Sequence, residues 1–259
     1  MKITSRIVLP LLLAACLGDP TGSLGGADEN AKFNILFVGN SLTYTNDLPG
    51  MLKVLIESVG EGPANIEVAA YANFGLEDHW VGGGAREAID GGGWDVVVLQ
   101  QGPSATEGRP SLLEYTQRFD GEISAIGAGT ALYMVWPSEA RFFDFDGVSE
   151  SYTMAAEQVG GLLYPAGEAW RLAWQRDSTL QLYGTDGFHP TEAGTYLAAL
   201  VMFQQLTGRS PIGLTGNVVT PSGIVLGLSS ETAAILQEAA AEANSLFALS
   251  QQTGARFLR

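Results

Sequence analysis

Four consecutive apolar residues, Val96-Val97-Val98-Leu99, set the strongest constraint on what this chain can fold into. Successive side chains of a strand point to opposite faces of its sheet, so a run apolar at every position needs cover on both sides. A parallel sheet flanked by helices supplies that cover, whereas an antiparallel sheet with one wet face does not. From Lys32 onward the chain alternates short apolar runs with helical stretches, the pattern of repeated βαβ units. Strands are predicted over residues 33–38, 66–71, 95–99 and 131–136, with a shorter signal at 161–164. Helices are predicted at 48–59, 76–90 with a break at 82–84, 109–126, 150–159, 167–174, 191–207 and 230–249. In the last of these, Ile235, Leu236, Ala239, Ala243, Leu246 and Phe247 fall near one another on a 3.6-residue period and are expected to dock on the sheet. The expected fold is a three-layer α/β/α sandwich around a parallel sheet of about five strands, formed by residues 32–259.

Charge narrows the function classes. Thirteen Lys and Arg stand against 28 Asp and Glu, a net of −15, which is the wrong sign for a surface that must neutralise phosphates. Nucleic acid is therefore not an expected partner. No GxxxxGK[ST] run is present, and two histidines with one cysteine cannot assemble the usual His/Cys zinc sets, so neither a Walker-type nucleotide site nor such a metal site is expected.

The amino terminus reads as a targeting segment. Lys2 and Arg6 precede an apolar run from Ile7 to Ala15, shorter than the roughly 20 residues a helix needs to span a bilayer. Residues 1–15 are expected to be a signal peptide. Its end, Leu13-Ala14-Ala15-Cys16, resembles the bacterial lipobox, which implies that Cys16 is lipidated and becomes the first residue after cleavage. Residues 16–31, rich in Gly, Asp and Pro, are expected to be a flexible tether, with the membrane engaged through the lipid anchor alone. Leu17 resembles the sorting pattern for the outer membrane, where the domain would face the periplasm or be exported to the surface.

Two short motifs carry chemistry. The first predicted strand runs into Gly39-Asn40-Ser41-Leu42, and the next helix begins near Pro49, which places a serine at the carboxyl edge of the sheet, where open α/β folds bind ligands. Glycine before it permits a tight turn. Far downstream lies Asp186-Gly187-Phe188-His189-Pro190, in which a carboxylate three residues before an imidazole can hold the Nδ1 hydrogen while Nε2 faces a partner such as Ser41.

Together these motifs resemble the SGNH (GDSL-type) hydrolases, over roughly residues 33–211. The nucleophile block matches Gly39-Asn40-Ser41-Leu42 and the final D-x-x-H-P block matches Asp186, His189 and Pro190. The resemblance implies an ester hydrolase with a Ser41, His189, Asp186 triad, no cofactor, and small acyl groups, often acetyl on carbohydrate, as substrate. Gly75, in Asn73-Phe74-Gly75-Leu76, takes the place of the family's second block and would donate its N–H to an oxyanion beside that of Ser41. The third block, G-x-N-D, is replaced by Leu99-Gln100-Gln101-Gly102-Pro103-Ser104. Adjacent residues in extended backbone point to opposite sides, so one of the two glutamines is expected to serve as third donor, with Gln101 preferred and Gln100 or Ser104 as alternatives. A lipid acyl esterase or thioesterase, an acyltransferase and a non-catalytic glycan-binding lipoprotein stay open as other readings.

The remaining conspicuous residues are read as packing or surface. His79, on a predicted helix, lacks a D-x-x-H turn. Asp144 and Asp146 lack the full calcium-loop spacing and are expected in an exposed acidic loop. Tyr44, Trp136 and Phe188 fit equally a cleft wall or the core.

The lipobox yields a direct test. The native protein is expected to partition into detergent, and Cys16→Ser to remain unprocessed or to move to the aqueous phase; a mature chain beginning downstream of Cys16 and wholly aqueous would contradict it.

Overall fold

The computed structural model describes residues 24–256, so the expected signal peptide and Cys16 lie outside the described residues. Five parallel strands, β1 (Phe33–Gly39), β2 (Ala64–Ala70), β3 (Val96–Leu99), β4 (Gly129–Tyr133) and β5 (Leu162–Tyr164), form one sheet in the order β2-β1-β3-β4-β5. This is the flavodoxin-like order, and the direction of winding reverses between β1 and β3. The apolar run is the central strand: Val97, Val98 and Leu99 are buried, and the register pairs Val98 with Phe37 on one side and Ala131 on the other.

Helices cover both faces. One layer is built from α3 (Leu76–Gly82), α4 (Gly84–Asp90), α5 (Arg109–Ala125) and α6 (Phe145–Val159). The other holds α2 (Leu48–Ser58), α7 (Ala166–Arg176), α8 (Glu192–Thr207) and α9 (Ser230–Arg256), while α1 (Ser41–Tyr44) is a single turn at the end of β1. The break between α3 and α4 falls at Gly83, whose φ of 83° suits glycine. Helix α8 is buried at every position from Gly194 to Phe203, because α2, α7 and α9 all pack against it. A helix enclosed this way is apolar all round, and its sequence, GTYLAALVMF, is.

Several expected boundaries move. Strand β4 begins two residues earlier than its apolar run and leaves the ladder after Tyr133, since its neighbour β5 is only three residues long; Met134, Val135 and Trp136 continue as buried irregular chain. Helix α6 starts at Phe145, five residues before the expected position, preceded by a 3-10 segment, Glu139–Asp144. Asp144 and Asp146 therefore flank a helix start, paired with Arg141 and Arg171 respectively. A small antiparallel hairpin, β6 (Asn217–Val219) and β7 (Val225–Gly227), was not expected; its strands are too short to show a period. Of the expected tether, residues 24–31 lie against the sheet. The Gly25 N–H donates to Glu67 Oε2 at 3.2 Å, the Asp28 N–H to Asn34 Oδ1 at 2.7 Å, and Asn65 Nδ2 to the Gly26 carbonyl at 3.0 Å.

Helix α9, expected on the sheet, packs instead against α7 and α8, burying Ala233, Leu236, Ala239, Ala240 and Ala243 while Leu246 faces out. Its buried Gln237 also closes the loop after α8: Oε1 accepts from the Gly213 N–H at 2.8 Å and Nε2 donates to the Leu214 carbonyl at 2.7 Å. Gln237→Ala leaves both groups without their partner, and a loss of about 1–3 kcal/mol in urea unfolding, with the m-value unchanged, is expected.

Candidate active site

The site forms at the carboxyl edge of the sheet, at the switch between β1 and β3. Strand β1 ends at Gly39, and Asn40 caps α1, its Oδ1 accepting from the Leu42 N–H at 3.1 Å. Ser41 opens the helical turn. Gly39 is required here for closeness and not for its φ, which is ordinary: a Cβ would stand 2.3 Å from Thr43 Oγ1 and 2.5 Å from Gln100 Oε1. The requirement for glycine thus comes from crowding by the side chains of Thr43 and Gln100.

Asp186 and His189 sit on a turn held from several sides. Gly187 adopts φ 66°, which lets the chain reverse so that Asp186 Oδ1 accepts from the Phe188 N–H at 3.0 Å and the His189 N–H at 2.9 Å. The Gly184 N–H donates to the His189 carbonyl at 2.7 Å, the Glu139 N–H to Gly187 at 2.8 Å, and Trp136 Nε1 to the Phe188 carbonyl at 3.1 Å. Asn46, just after α1, donates to the Pro190 carbonyl at 2.9 Å and so ties the turn to the Ser41 segment, 144 residues away in sequence.

These supports bring the three expected residues into line. His189 Nδ1 lies 2.6 Å from Asp186 Oδ2, and His189 Nε2 lies 2.9 Å from Ser41 Oγ. The hydrogen bond from His189, joined by the backbone N–H of Phe188, pulls the Asp186 carboxyl down to about 2, so it is an anion at neutral pH. A serine hydroxyl bonded to an imidazole that is itself oriented by a carboxylate can be deprotonated as it attacks, which is the arrangement of an activated nucleophile.

The expected oxyanion donors are less simply placed. The Gly75 N–H, at the start of α3, donates to Asp78 Oδ2 at 2.8 Å. Gln100 is fully buried and all its capacity is used: Oε1 accepts from the Asn40 N–H and from Thr43 Oγ1, each at 2.8 Å, and Nε2 donates to Asn40 Oδ1 at 3.0 Å and to the Gln101 carbonyl at 2.6 Å. That excludes it as a third donor and makes it the clamp of the nucleophile turn. Gln101 turns the other way, toward the Gly75 loop. Its Oε1 accepts from the Leu76 N–H at 3.2 Å, and its Nε2 donates to Ser104 Oγ at 2.8 Å and more weakly to the Gly108 carbonyl at 3.4 Å. The Ser104 hydroxyl donates to the Gly102 carbonyl at 2.9 Å.

Ser41, Gly75, Gln101 and Ser104 line one cleft of about 380 Å³, with Asn73, Phe188 and the carboxylates of Glu77 and Asp78 among its other walls. Phe188 is thus a cleft residue. Trp136 is core, stacked on Trp170 at 3.6 Å between ring centroids, and Tyr44 is exposed. Sequence reasoning missed Asn46, the clamp role of Gln100, and Tyr152, whose hydroxyl accepts from the Gln101 N–H at 3.2 Å. Each is a long-range contact with no local pattern. Among the described residues, no group of three or more His, Cys, Asp and Glu side chains is arranged to hold a metal ion.

No protein-family model and no curated protein matches the chain. Solved structures do. A protein from Slackia heliotrinireducens, provisionally classed as an SGNH hydrolase, is 27% identical over 67% of this chain and 98% of its own, with a TM-score of 0.58. A DUF4886 family protein from Bacteroides uniformis superposes at a TM-score of 0.62, 18% identical, over 82% of this chain and 94% of its own. A carbohydrate esterase family 3 protein from Talaromyces cellulolyticus superposes at 0.54, 12% identical, over 68% and 97%. With five parallel strands in the order 2-1-3-4-5, helices on both faces and these neighbours, the chain has the fold of the SGNH hydrolases.

Proposed function

We propose that the protein is a serine ester hydrolase that works through an acyl-enzyme, acting on small acyl groups, acetyl above all, carried by carbohydrate or similarly polar alcohols. The observation that carries this reading is the relay from Asp186 through His189 to Ser41, at 2.6 and 2.9 Å. In the first step His189 takes the Ser41 proton as Oγ attacks the ester carbonyl, and Asp186 stabilises the imidazolium; His189 then returns the proton to the departing alcohol. Water, activated by the same imidazole, releases the acid and restores Ser41.

The oxyanion is assigned to the N–H groups of Ser41 and Gly75, with Gln101 as third donor. Gly75 becomes available when the substrate carbonyl displaces the Asp78 carboxylate. Gln101 supplies its amide by exchanging its longest bond, the 3.4 Å contact with Gly108. The modest size of the cleft, about 380 Å³, favours a small acyl group over a long lipid chain, and the likeness to a carbohydrate esterase points the same way. On this reading the L-A-A-C sequence supports a lipoprotein of the bacterial cell envelope, held by Cys16.

Labelling by a fluorophosphonate probe separates this enzyme from a binding protein of the same fold. Wild type is expected to be labelled at Ser41 and to hydrolyse nitrophenyl acetate faster than longer-chain esters. Ser41→Ala and His189→Ala are each expected to lose most of the turnover with the fold intact, and Asp186→Asn to lose less than Ser41→Ala. Full activity in Ser41→Ala would overturn the mechanism.

The Asp186 carboxyl supplies a pH test. Its folded value, about 2, lies below its ordinary 3.8, so the stabilisation it brings is present above pH 3.8 and lost as pH falls toward 2. A carboxyl-carbon NMR titration is expected to give a midpoint near 2, returning toward the ordinary range in His189→Ala; a midpoint at 3.8 in wild type would show that the Asp186–His189 contact is not made in solution.

A further inference from the structure

His79 is used by no step above, yet it is buried beside the nucleophile turn. It lies on α3, four residues after Gly75, and is 2% exposed, with its ring among Tyr71 and Phe74 at centroid distances of 5.7 and 5.2 Å. Its Nε2 lies 2.7 Å from the Gly39 carbonyl oxygen. A carbonyl can only accept, so Nε2 carries the hydrogen. Burial holds the imidazole pKa below its ordinary value, so the ring is a neutral donor of one fixed tautomer.

The bond joins the two sides of the proposed oxyanion hole. The Gly39 carbonyl, which also accepts the Tyr71 N–H at a longer 3.2 Å, belongs to the peptide that links Gly39 to Asn40, and the N–H of that same peptide is bound by Gln100 at 2.8 Å. A peptide is planar, so holding its oxygen and its hydrogen from opposite ends fixes its rotation. The next N–H along the chain is that of Ser41. At the other end, His79 is carried by the short helix that begins just after Gly75. One hydrogen bond therefore links the peptide before the first donor to the helix behind the second.

We infer that His79 is a positioning residue that sets the distance and orientation between the Ser41 and Gly75 N–H groups, and so acts on oxyanion stabilisation without touching substrate. The inference rests on the hydrolase reading. A histidine that merely fills the core would affect stability alone, whereas misaligned donors weaken binding of the tetrahedral state and leave the ground state nearly untouched.

The test compares His79→Phe, which keeps an aromatic ring and loses the donor, with His79→Gln, whose amide can donate to the same carbonyl. For nitrophenyl acetate, His79→Phe is expected to lower kcat by about 10–100-fold, less than the roughly 10²–10³-fold loss of a whole oxyanion donor, with KM within about twofold. Inhibition by a trifluoromethyl ketone, which forms a tetrahedral adduct on the serine, is expected to weaken in parallel, and His79→Gln to recover most of both. Thermal melts check that the variants are folded at assay temperature; should His79→Phe not fold, His79→Met, flexible and without a donor, carries the same comparison. Wild-type kinetics in the folded donor-less variant, a loss of kcat without a loss of inhibitor affinity, or no recovery in a folded His79→Gln would overturn the inference and leave the hydrolase reading standing. Absence of both turnover and Ser41 labelling in the wild type would overturn the hydrolase reading, and this inference with it.

Discussion

The amide of Gln100 is the contact on which the site depends. It is fully buried between the ends of β1 and β3, and accepts two hydrogen bonds while donating two. An amide taken out of water costs little when each of its groups is paired and about 1–3 kcal/mol for each group left unpaired, so the position tolerates neither a shorter nor an apolar side chain. Asn40, gripped by Gln100, in turn donates through Nδ2 to the Phe74 carbonyl at 2.9 Å, just ahead of Gly75. A single polar chain thus runs from the central strand through the nucleophile turn to the loop opposite. The SGNH third block places an asparagine after β3. Here Gln100 and Gln101 divide the space, one holding the turn below Ser41 and the other the start of α3.

The histidine turn is organised on a different principle. Its shape comes from local bonds within Asp186 to His189, which a glycine at positive φ makes reachable. Its position comes from distant groups: Trp136 in the buried irregular chain after β4, Glu139 beyond it, and Asn46 a few residues after Ser41. The relay is therefore assembled before any substrate arrives, and binding energy need not be used to order it.

Much of this was legible in the residues themselves, for identifiable reasons. The apolar β3 run and the alternation of short apolar runs with helical stretches are local signals, and the sheet follows from them. The meeting of Ser41, His189 and Asp186 was legible because Asp186 and His189 belong to one turn, and because Ser41 follows the first strand at the ligand-binding edge of the sheet. The oxyanion side was less legible. Alternation along extended chain correctly sends Gln100 and Gln101 to opposite sides, but which of them meets the nucleophile turn depends on the crossing of β1 and β3 in space. The early start of α6 was hidden by the turn-like sequence Asp144-Phe145-Asp146-Gly147, whose glycine lies inside the first turn of the helix. In α9 the alanines occupy the inward stripe, so Leu246, the more apolar residue, was wrongly expected on it.

If the protein is the ester hydrolase proposed above, the charges around the cleft bear on the end of its reaction cycle. Its lining contains two carboxylates, Glu77 and Asp78, and no lysine or arginine. A neutral ester enters such a cleft without electrostatic penalty, but ester hydrolysis generates a carboxylate in the same place, beside fixed negative charges and a free oxyanion site for which Asp78 competes. Repulsion then acts on the product and not on the substrate. Clearance of the acid is thereby built into the walls of the cleft, so accumulated acetate should compete poorly with fresh ester, and less poorly as added salt screens the repulsion.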